Sequence, residues 1–298
     1  MLLTQVNMTV TIQSEGLTAE INPHGAELWS LRDAAGRELM TDADPAYWTG
    51  HAPLLFPVVG KPAGEIIRVD GRTYPMKQHG FARRRTFALV EQAADRVRFR
   101  LQDDAETRAA YPFAFRFDVA YTVSDATLTV EVTVANPGDA PLPASFGFHP
   151  AFAWPLPYGA AKEDHRIVFA ADEPDALRRL GEDGGILPGR RPSPLDGRTL
   201  HLADTLFTED ALIWDAVRSR SVRYGAPGKP QLDVAFDAPM LGIWTKPGAH
   251  FVCIEPWHGI ADPEGYRGEY ADKPGIFTVV PGGEKRIMMT VTLREADQ

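Results

Sequence analysis

The sequence predicts an all-β fold, a large antiparallel β-sandwich with few short helices, formed by residues 1–298 as a single domain. Short segments that alternate between apolar and polar residues follow one another along the whole chain, which is the period of half-buried strands. The 26 glycines and 25 prolines in 298 residues exceed the usual share of roughly 12%, which indicates many turns. No repeat of fixed length and no break in composition divides the chain, so one continuous sandwich is the simplest architecture.

The first half of the chain consists mainly of predicted hairpins. Asp70-Gly71 is a two-residue turn signal, and Asp125-Ala126 turns a later pair of strands. The predicted strands of this half are Thr9–Gln13, Leu17–Ile21, Ala26–Arg32, Glu38–Met40, Ile66–Val69, Thr73–Pro75, Thr86–Gln92, Arg96–Gln102, Phe115–Val123 and Thr127–Asn136. Ala105–Ala110 is the best helical candidate. We expect it to end at Tyr111, because the residue before a proline avoids helical geometry.

The second half begins with a long irregular region. Pro155–Arg198 is rich in proline, glycine and charged residues, with one strand-like segment at Arg166–Phe169. We interpret this region as loops over one end of a sheet, and the alternative is a linker between two domains. Further strands are predicted at Ala211–Trp214, Ser221–Tyr224, Gln231–Phe236, Met240–Trp244, Phe251–Ile254, Ile276–Val280 and Ile287–Leu293.

Charge and cysteine content exclude several classes of protein. The net charge of −9 argues against a general nucleic-acid-binding protein, which carries a basic face. The single cysteine, Cys253, excludes an internal disulfide and a multi-cysteine zinc site. Met1–Asn7 has no basic segment and no apolar run, so we expect no secretory signal, and no window of about 18 apolar residues predicts a membrane span. We expect a cytoplasmic monomer or homodimer that binds neither nucleic acid nor membrane.

A glutamate stands in a very apolar strand of the second half. In Phe251–Trp257, strand alternation puts Glu255 on the same face as Cys253 and Trp257. Glutamate is rarely buried without a partner, and burial raises its pKa toward the range in which it exchanges protons near neutral pH. We expect Pro256 to end the regular pairing of this strand. The alternative is a strand-end glutamate that faces water.

A second candidate residue lies in Pro143–Phe152. Strand alternation places Gly147 and His149 on one face, and the missing side chain of Gly147 predicts open space for a ligand beside His149. The alternative is a packed, hydrogen-bonded histidine of the core.

A basic run lies between residues 77 and 85. His79 precedes a glycine at a bend, where its ring can face a cavity. The cations of this run are Lys77, Arg83, Arg84 and Arg85. On a chain with a net charge of −9, such a cluster indicates an anionic group on the substrate, and the alternative is a solvated strand face.

Elimination leaves general acid–base chemistry. His79, His149 and Glu255 could also bind zinc, but their spacing matches no helix-borne zinc motif, so we predict no metal. No Gly-x-Ser-x-Gly elbow is present, and Cys253 lies in an apolar strand where a thiol is inert. The sequence has no phosphate loop and no dinucleotide fingerprint, so we predict no cofactor.

Four short motifs occur in a characteristic order: His79-Gly80, Gly147-Phe148-His149-Pro150, Asp210-Ala211-Leu212-Ile213 and Glu255-Pro256-Trp257. From about residue 25 to residue 293, the chain thereby resembles the aldose 1-epimerase (galactose mutarotase) family. It looks most like the bacterial branch of undefined sugar specificity, and it shares the His-Gly-Phe-Ala-Arg run with hexose-6-phosphate 1-epimerases.

The resemblance implies a galactose mutarotase-like supersandwich and a cofactor-independent isomerase that interconverts the α and β anomers of an aldohexose. It implies that Glu255 is the base for the anomeric hydroxyl and that His149 is the acid that protonates the ring oxygen. It also implies that His79 hydrogen-bonds the sugar near the ring oxygen and that Asp210 binds a sugar hydroxyl. We expect the acid and the base on opposite sides of one sugar ring. Trp257 is a candidate platform for the sugar, although packing is the usual role of such a residue.

One residue departs from the family pattern. Lys61 stands where the sugar-binding arginine of the family aligns, and lysine cannot make the bidentate contact of a guanidinium. Arg83 could replace that arginine or bind a phosphate, so the partner is a small-molecule sugar or sugar phosphate. The remaining alternatives are a hexose-6-phosphate 1-epimerase, a non-catalytic carbohydrate-binding or sensing protein, and a lyase or hydrolase, which would need a carboxylate pair across a glycosidic bond.

Overall fold

The computed structural model describes residues 9–296, so the segment Met1–Asn7, in which no secretory signal is expected, lies outside the described residues. The strands of the described range are β1 (Val10–Gln13), β2 (Leu17–Asn22), β3 (Glu27–Asp33), β4 (Ile66–Val69), β5 (Arg72–Pro75), β6 (Ala88–Gln92), β7 (Arg96–Gln102), β8 (Arg116–Ser124), β9 (Thr127–Ala135), β10 (Leu142–Ala144), β11 (Phe146–Gly147), β12 (Ala151–Ala153), β13 (Arg166–Phe169), β14 (Thr199–His201), β15 (Leu212–Trp214), β16 (Ser221–Gly225), β17 (Gln231–Phe236), β18 (Met240–Trp244), β19 (Phe251–His258), β20 (Phe277–Val279) and β21 (Glu284–Arg294).

Helices are few and short. The α-helix α1 spans Ala105–Ala110, and 3-10 turns cover Ala63–Glu65, Ala82–Arg84, Lys162–Asp164, Asp204–Phe207 and Tyr270–Asp272. None of the helices between residues 9 and 296 has the length and apolar composition needed to cross a bilayer. The cytoplasmic location and the oligomeric state stay predictions.

Two antiparallel sheets form most of the molecule. The larger sheet has the strand order β14-β13-β16-β17-β21-β9-β8-β7-β6, and the smaller has the order β11-β19-β18-β15, with β12 also paired to β19. Three minor sheets are β1-β2-β3, β10-β20 and β4-β5. All pairings between these strands are antiparallel. The predicted all-β antiparallel sandwich is therefore confirmed.

The main apolar core is shared by the two large sheets. Phe117 of the nine-stranded sheet and Val252 and Ile254 of the five-stranded sheet belong to one buried cluster. Ile12 and Val291, near the two ends of the described chain, join the same cluster. Burial of apolar surface is the main favourable term in folding, and one shared core supports the proposal that the chain forms a single domain.

The predicted helix α1 begins at a capping box and ends at the residue before a proline. The side chain of Asp104 accepts a hydrogen bond from the backbone N–H of Thr107, and the Thr107 hydroxyl accepts one from the backbone N–H of Asp104. This reciprocal cap satisfies donors that the first turn leaves free. Tyr111 adopts extended geometry, so α1 ends there as predicted.

The irregular region is part of the sandwich. Within Pro155–Arg198, β13 pairs with β14 on one side and with β16 on the other, inside the nine-stranded sheet. A strand paired on both sides cannot belong to a free linker. The prediction of long loops around one strand is confirmed in this region.

The predicted strand at Glu38–Met40 is wrong. This segment makes only isolated bridges, from Glu38 to Arg32 and from Met40 to Phe152. The Glu38 carboxylate accepts hydrogen bonds from the backbone N–H groups of Leu31 and Met40, and these side-chain bonds take the place of a regular ladder.

Pro256 does not end its strand, and that expectation is also wrong. β19 continues to His258. The carbonyl of Pro256 accepts a hydrogen bond from Phe148 N, which lies in the break between β11 and β12. The N–H and C=O of a strand residue point to the same side, so the backbone nitrogen of Pro256, which has no hydrogen to donate, also faces this break. The ladder therefore loses no donor there.

Candidate active site

The candidate site lies on the face of the five-stranded sheet turned away from the main core. Val252 and Ile254 of β19 point into that core, so Glu255 projects from the opposite face. Glu255 is only 2% exposed, and Cys253 on the same face is fully buried. The predicted alternation is confirmed, and the alternative of a water-facing glutamate is wrong.

His149 stands directly across from Glu255. The register of β19 pairs Trp257 with Gly147 of β11 and Cys253 with Ala151 of β12, which leaves residues 149 and 255 opposite each other. Nε2 of His149 lies 3.2 Å from Oε2 of Glu255, and His149 is 7% exposed. The two groups are thus side by side, so the expectation of opposite sides of a sugar ring is wrong. Side chains paired across neighbouring strands share one face of the sheet, which is the physical reason.

Burial sets the protonation of this pair. Burial raises the pKa of Glu255 well above its ordinary value, and the nearby charge of Asp210 adds to this, whereas the indole N–H of Trp257 and the charge of Arg83 oppose it. Burial also lowers the pKa of His149 to about 3, and Arg83 contributes to this shift. Both shifts favour the uncharged form of each group, which is a protonated carboxyl on Glu255 beside a neutral imidazole on His149.

Aromatic rings hold the imidazole of His149 in place. The Trp48 ring stacks on it with centroids 5.0 Å apart, and the Trp244 and His79 rings meet it edge-on, each at 5.8 Å. Within residues 9–296, Nδ1 of His149 has no hydrogen-bond partner. Ring packing, rather than a hydrogen bond at Nδ1, fixes the direction of Nε2.

His79 is held at a turn as a neutral ring. It has a φ of 64°, and the following Gly80 has a φ of 70°, with no room for a Cβ against the backbone of Phe56. Nδ1 of His79 accepts a hydrogen bond from Gly60 N at 3.2 Å, and His79 N donates to Gly60 O at 2.9 Å. Burial, together with neighbouring His149 and nearby cations, lowers the pKa of His79 well below its ordinary value. The neutral ring therefore carries its proton on Nε2 and can donate it.

A cavity of about 340 Å³ opens over the pair, a volume typical of small-molecule sites. The structure brings all the predicted site residues to this one cavity: Lys61, His79, Arg83, His149, Asp210, Glu255 and Trp257. The positions agree with the sequence analysis, and the role of each residue stays a proposal.

The space beside Gly147 is already filled. A Cβ on Gly147 would lie 2.5 Å from Cδ1 of Trp257, and a Cβ on Gly242 would also overlap the same indole. Trp257 thus lies over two glycines of neighbouring strands and forms part of the cavity wall. The expectation that Gly147 leaves room for a ligand is wrong, because the side chain of Trp257 occupies that room.

Asp210 is exposed at the edge of the cavity, in a left-handed turn with a φ of 65°. Its carboxylate accepts a hydrogen bond from Ala211 N at 2.7 Å. The guanidinium of Arg179 donates to the carbonyl oxygens of Asp210 and Ala211, at 2.9 and 3.2 Å. The turn is therefore fixed through its backbone, and the Asp210 carboxylate faces the cavity with acceptor capacity to spare.

The predicted basic cluster is divided by the fold. Arg83 and Arg84 line the cavity, whereas Arg85 is paired with Asp104 and Glu106 beside α1. Lys77 is exposed outside the cavity. Within the described range, Arg83 is half-buried and makes neither a hydrogen bond nor an ion pair. Its positive charge is thus available to a bound ligand.

Sequence reasoning missed several residues of the cavity. Trp48, Gln78 and Leu180 line it, and Trp48 also orients His149. Trp48 and Leu180 lie in irregular segments without strand alternation, so no periodic pattern marks them as facing a site. Only the fold brings these segments over the sheet.

The family model for aldose 1-epimerase matches residues 8–180 of this chain. The chain belongs to the aldose 1-epimerase family. Protein LacX (chromosomal) of Lactococcus lactis subsp. lactis is 33% identical over 286 residues, which cover 92% of this chain and 95% of that protein. A galactose mutarotase related enzyme from Lactobacillus acidophilus is 33% identical with a TM-score of 0.90, covering 98% of this chain and 100% of that one.

The fold extends to more distant structures. A galactose 1-epimerase from Lactobacillus acidophilus NCFM has a TM-score of 0.71 at 14% identity, over 97% of this chain and 95% of that one. This likeness shows the fold alone, and it agrees with the predicted mutarotase-like supersandwich. Asp210 and Glu255 lie beyond residue 180, where the family model ends, so their placement rests on the geometry described above.

We expect Gly147→Ala to destabilise the protein, because its new methyl group would collide with Trp257 and approach Cδ1 of Leu55 to 3.2 Å. Overpacking of this kind costs about 1–3 kcal/mol, which urea denaturation would measure. Gly189→Ala is the matched control, since a Cβ there meets nothing within 4 Å. Equal stability of the two variants would contradict the role assigned to Gly147.

Proposed function

We propose that this member of the aldose 1-epimerase family is a cofactor-independent aldose 1-epimerase that interconverts the α and β anomers of an aldohexose. The observation that carries the proposal is the cross-strand pair, with Nε2 of His149 3.2 Å from Oε2 of Glu255 beneath a cavity of about 340 Å³. The anomeric hydroxyl oxygen and the ring oxygen of an aldose are both bonded to C1. An acid and a base that serve these two atoms must therefore lie side by side.

The proposed reaction moves one proton onto the sugar and one off it. Glu255 as carboxylate removes the proton from the anomeric hydroxyl, and His149 as imidazolium gives its proton to the ring oxygen. The bond from C1 to the ring oxygen breaks, and a C1 aldehyde forms. Rotation about C1–C2 and reclosure with the two roles reversed give the other anomer. The raised pKa of Glu255 favours a resting pair with the proton on Glu255, and transfer of that proton across 3.2 Å to Nε2 of His149 produces the charge state in which the reaction begins.

The remaining side chains bind and orient the sugar. His79 carries its proton on Nε2, which suits donation to an oxygen near the ring oxygen. Asp210 accepts hydrogen bonds from sugar hydroxyls at the cavity edge. Trp257 supplies an apolar wall. The rate factor belongs to the acid–base groups His149 and Glu255, because positioned groups of that type each contribute about 10²–10⁴-fold to the rate.

A second candidate substrate is a hexose 6-phosphate. The observation that favours it is the guanidinium of Arg83, which lines the cavity without an ion pair among the described residues, near the half-buried Lys61. A half-buried cation that makes no contact ion pair favours an anionic ligand, and arginine binds phosphate through two parallel hydrogen bonds. The same Arg83 can instead orient a neutral sugar in place of the arginine that Lys61 replaces.

We expect Glu255→Gln to lower kcat by about 10²–10⁴-fold while the protein stays folded. Stability should persist because burial favours the neutral form of Glu255, which the glutamine amide resembles. Polarimetry of freshly dissolved α-glucose and α-galactose, with the spontaneous rate subtracted, would measure the effect. Glu264→Gln, the same change at an exposed glutamate outside the cavity, is the control and should keep normal activity.

Two outcomes would contradict the proposal. One is an unchanged rate in Glu255→Gln. The other is saturable sugar binding by the wild-type protein without anomer exchange by NMR, for every free and phosphorylated aldose of a panel. The second outcome would instead support a carbohydrate-binding or sensing protein.

The pH dependence of kcat/KM should show a broad plateau. Activity needs one proton on the His149–Glu255 pair. A second proton is added only near the lowered pKa of His149, about 3, so activity should persist well below the ordinary imidazole pKa of 6.5. The single proton is lost when the pH rises through the elevated pKa of Glu255, which places the alkaline fall above the ordinary carboxyl range. Loss of kcat/KM near pH 6.5 on the acid side, with circular dichroism unchanged, would contradict this protonation scheme.

Arg83→Gln should separate the two substrate classes. If the substrate is a hexose 6-phosphate, loss of the guanidinium should raise KM for it by about tenfold or more and leave KM for the neutral hexose much less changed. Lys77→Gln is the control, because Lys77 belongs to the same basic run but lies outside the cavity. Equal effects of Arg83→Gln on the neutral and the phosphorylated sugar would assign Arg83 to orientation of the sugar ring.

A further inference from the structure

A second buried pair of charges lies behind the candidate site. Nζ of Lys273 is 2.9 Å from Oδ1 of Asp262, and the two side chains are 1% and 8% exposed. Taking two charges out of water is unfavourable, and an apolar pair of the same shape is often at least as stable. Stability alone therefore gives little reason for this pair. Its surroundings indicate a role in positioning.

Asp262 joins two segments that line the cavity. Its Oδ2 accepts a hydrogen bond from Ala63 N at 2.9 Å, and its backbone N–H donates to Lys61 O at 3.2 Å. Its carbonyl oxygen accepts from Ile186 N at 2.8 Å. Lys61 lies in the first segment, and the loop that ends at Ile186 contributes residues 180 and 184 to the same cavity.

The first of these segments also holds His79. Gly60 N donates to Nδ1 of His79, and Gly60 O accepts from His79 N. Gly60 has a φ of 72°, and a Cβ there would lie 2.5 Å from Cα of Ala261, the residue before Asp262. The turn 60–63 is thus fixed to His79 at one end and to Asp262 at the other. A shift of Asp262 would displace the backbone donor that occupies Nδ1 of His79.

We propose that Asp262, with Lys273 as its counter-ion, is a positioning residue that fixes His79 as the Nε2–H tautomer and fixes Lys61 at the cavity. The inference rests on the function proposed above. Because Nδ1 is occupied as an acceptor, His79 can only donate toward the sugar. The side-chain amide nitrogen of Gln78 lies 3.3 Å from Nε2 of His79. A 180° rotation of that amide exchanges its nitrogen and oxygen, and the oxygen then accepts the Nε2–H proton of His79. A bound sugar would take the place of this amide.

The test is the double variant Asp262→Leu/Lys273→Met, which replaces the pair by apolar side chains of similar size and leaves no unpaired charge. Nitrogen-15 NMR of the imidazoles measures the tautomer of each histidine, and the His79 signals are assigned by their loss in His79→Gln. In the double variant, these signals should change from those of the pure Nε2–H tautomer to those of a mixture of the two tautomers. KM for the aldose should rise by about tenfold, with kcat changed much less, because His79 and Lys61 bind rather than transfer protons.

The matched control is Asp118→Leu/Arg100→Met, which removes a bidentate ion pair between β7 and β8 of the nine-stranded sheet, with contacts of 2.6 and 2.9 Å. It should leave the His79 signals and KM unchanged. Asp262→Ala/Lys273→Met is the second test variant should the first double variant fail to fold; it also removes the acceptor for Ala63 N, so it should show the same changes in His79 and KM. Wild-type His79 signals in the folded test variants would overturn the inference, whatever happens to KM. Because the NMR readout needs no turnover, it decides the inference even if the protein shows no epimerase activity.

Discussion

The register of one strand, β19, is the constraint on which the candidate site depends. Because side chains alternate along a strand, burial of Val252 and Ile254 in the main core forces Glu255 onto the opposite face. The pairing of β19 with β11 and β12 then sets His149 across from Glu255. A slip of one residue would turn the carboxyl into the core and expose the apolar side chains. The same apolar burial that stabilises the sandwich therefore places the proposed acid–base pair and offsets the cost of desolvating it.

Desolvation also explains why these two groups suit a reversible proton exchange. Burial disfavours the carboxylate and the imidazolium alike, so it favours the form of the pair that has no net charge. Moving that proton between Oε2 and Nε2 across 3.2 Å changes the internal charge arrangement but not the total charge. An anomer exchange requires each group to act as acid in one half of the reaction and as base in the other. A pair that shares a single proton can serve both halves without exchanging protons with the solvent.

The sequence predicts the parts of this structure that depend on local periodicity. The strand alternation in Phe251–Ile254 and the capped helix Ala105–Ala110 are local patterns, and both are found in the structure. The errors concern partners from other strands. Gly147 leaves no free space because Trp257 of the neighbouring strand covers it, and Pro256 is tolerated because the strand beside it is interrupted. Which strands become neighbours is a property of the whole fold, so no local rule could show either result.

The division of the cavity between strands and loops has a consequence for specificity. Glu255 lies on a strand of the sheet and His149 beside it, whereas Lys61, Arg83 and Asp210 stand on turns around the rim. Turns can change without disturbing the strand register that holds His149 and Glu255, so the proposed chemistry and the proposed choice of sugar are structurally separable. Turns are also more mobile than strands. If the turns of the rim were mobile, ordering them on sugar binding would cost entropy and weaken the affinity for the sugar. We infer that the bonds of Asp262 to two rim segments reduce that loss, because they connect separate turns through one residue.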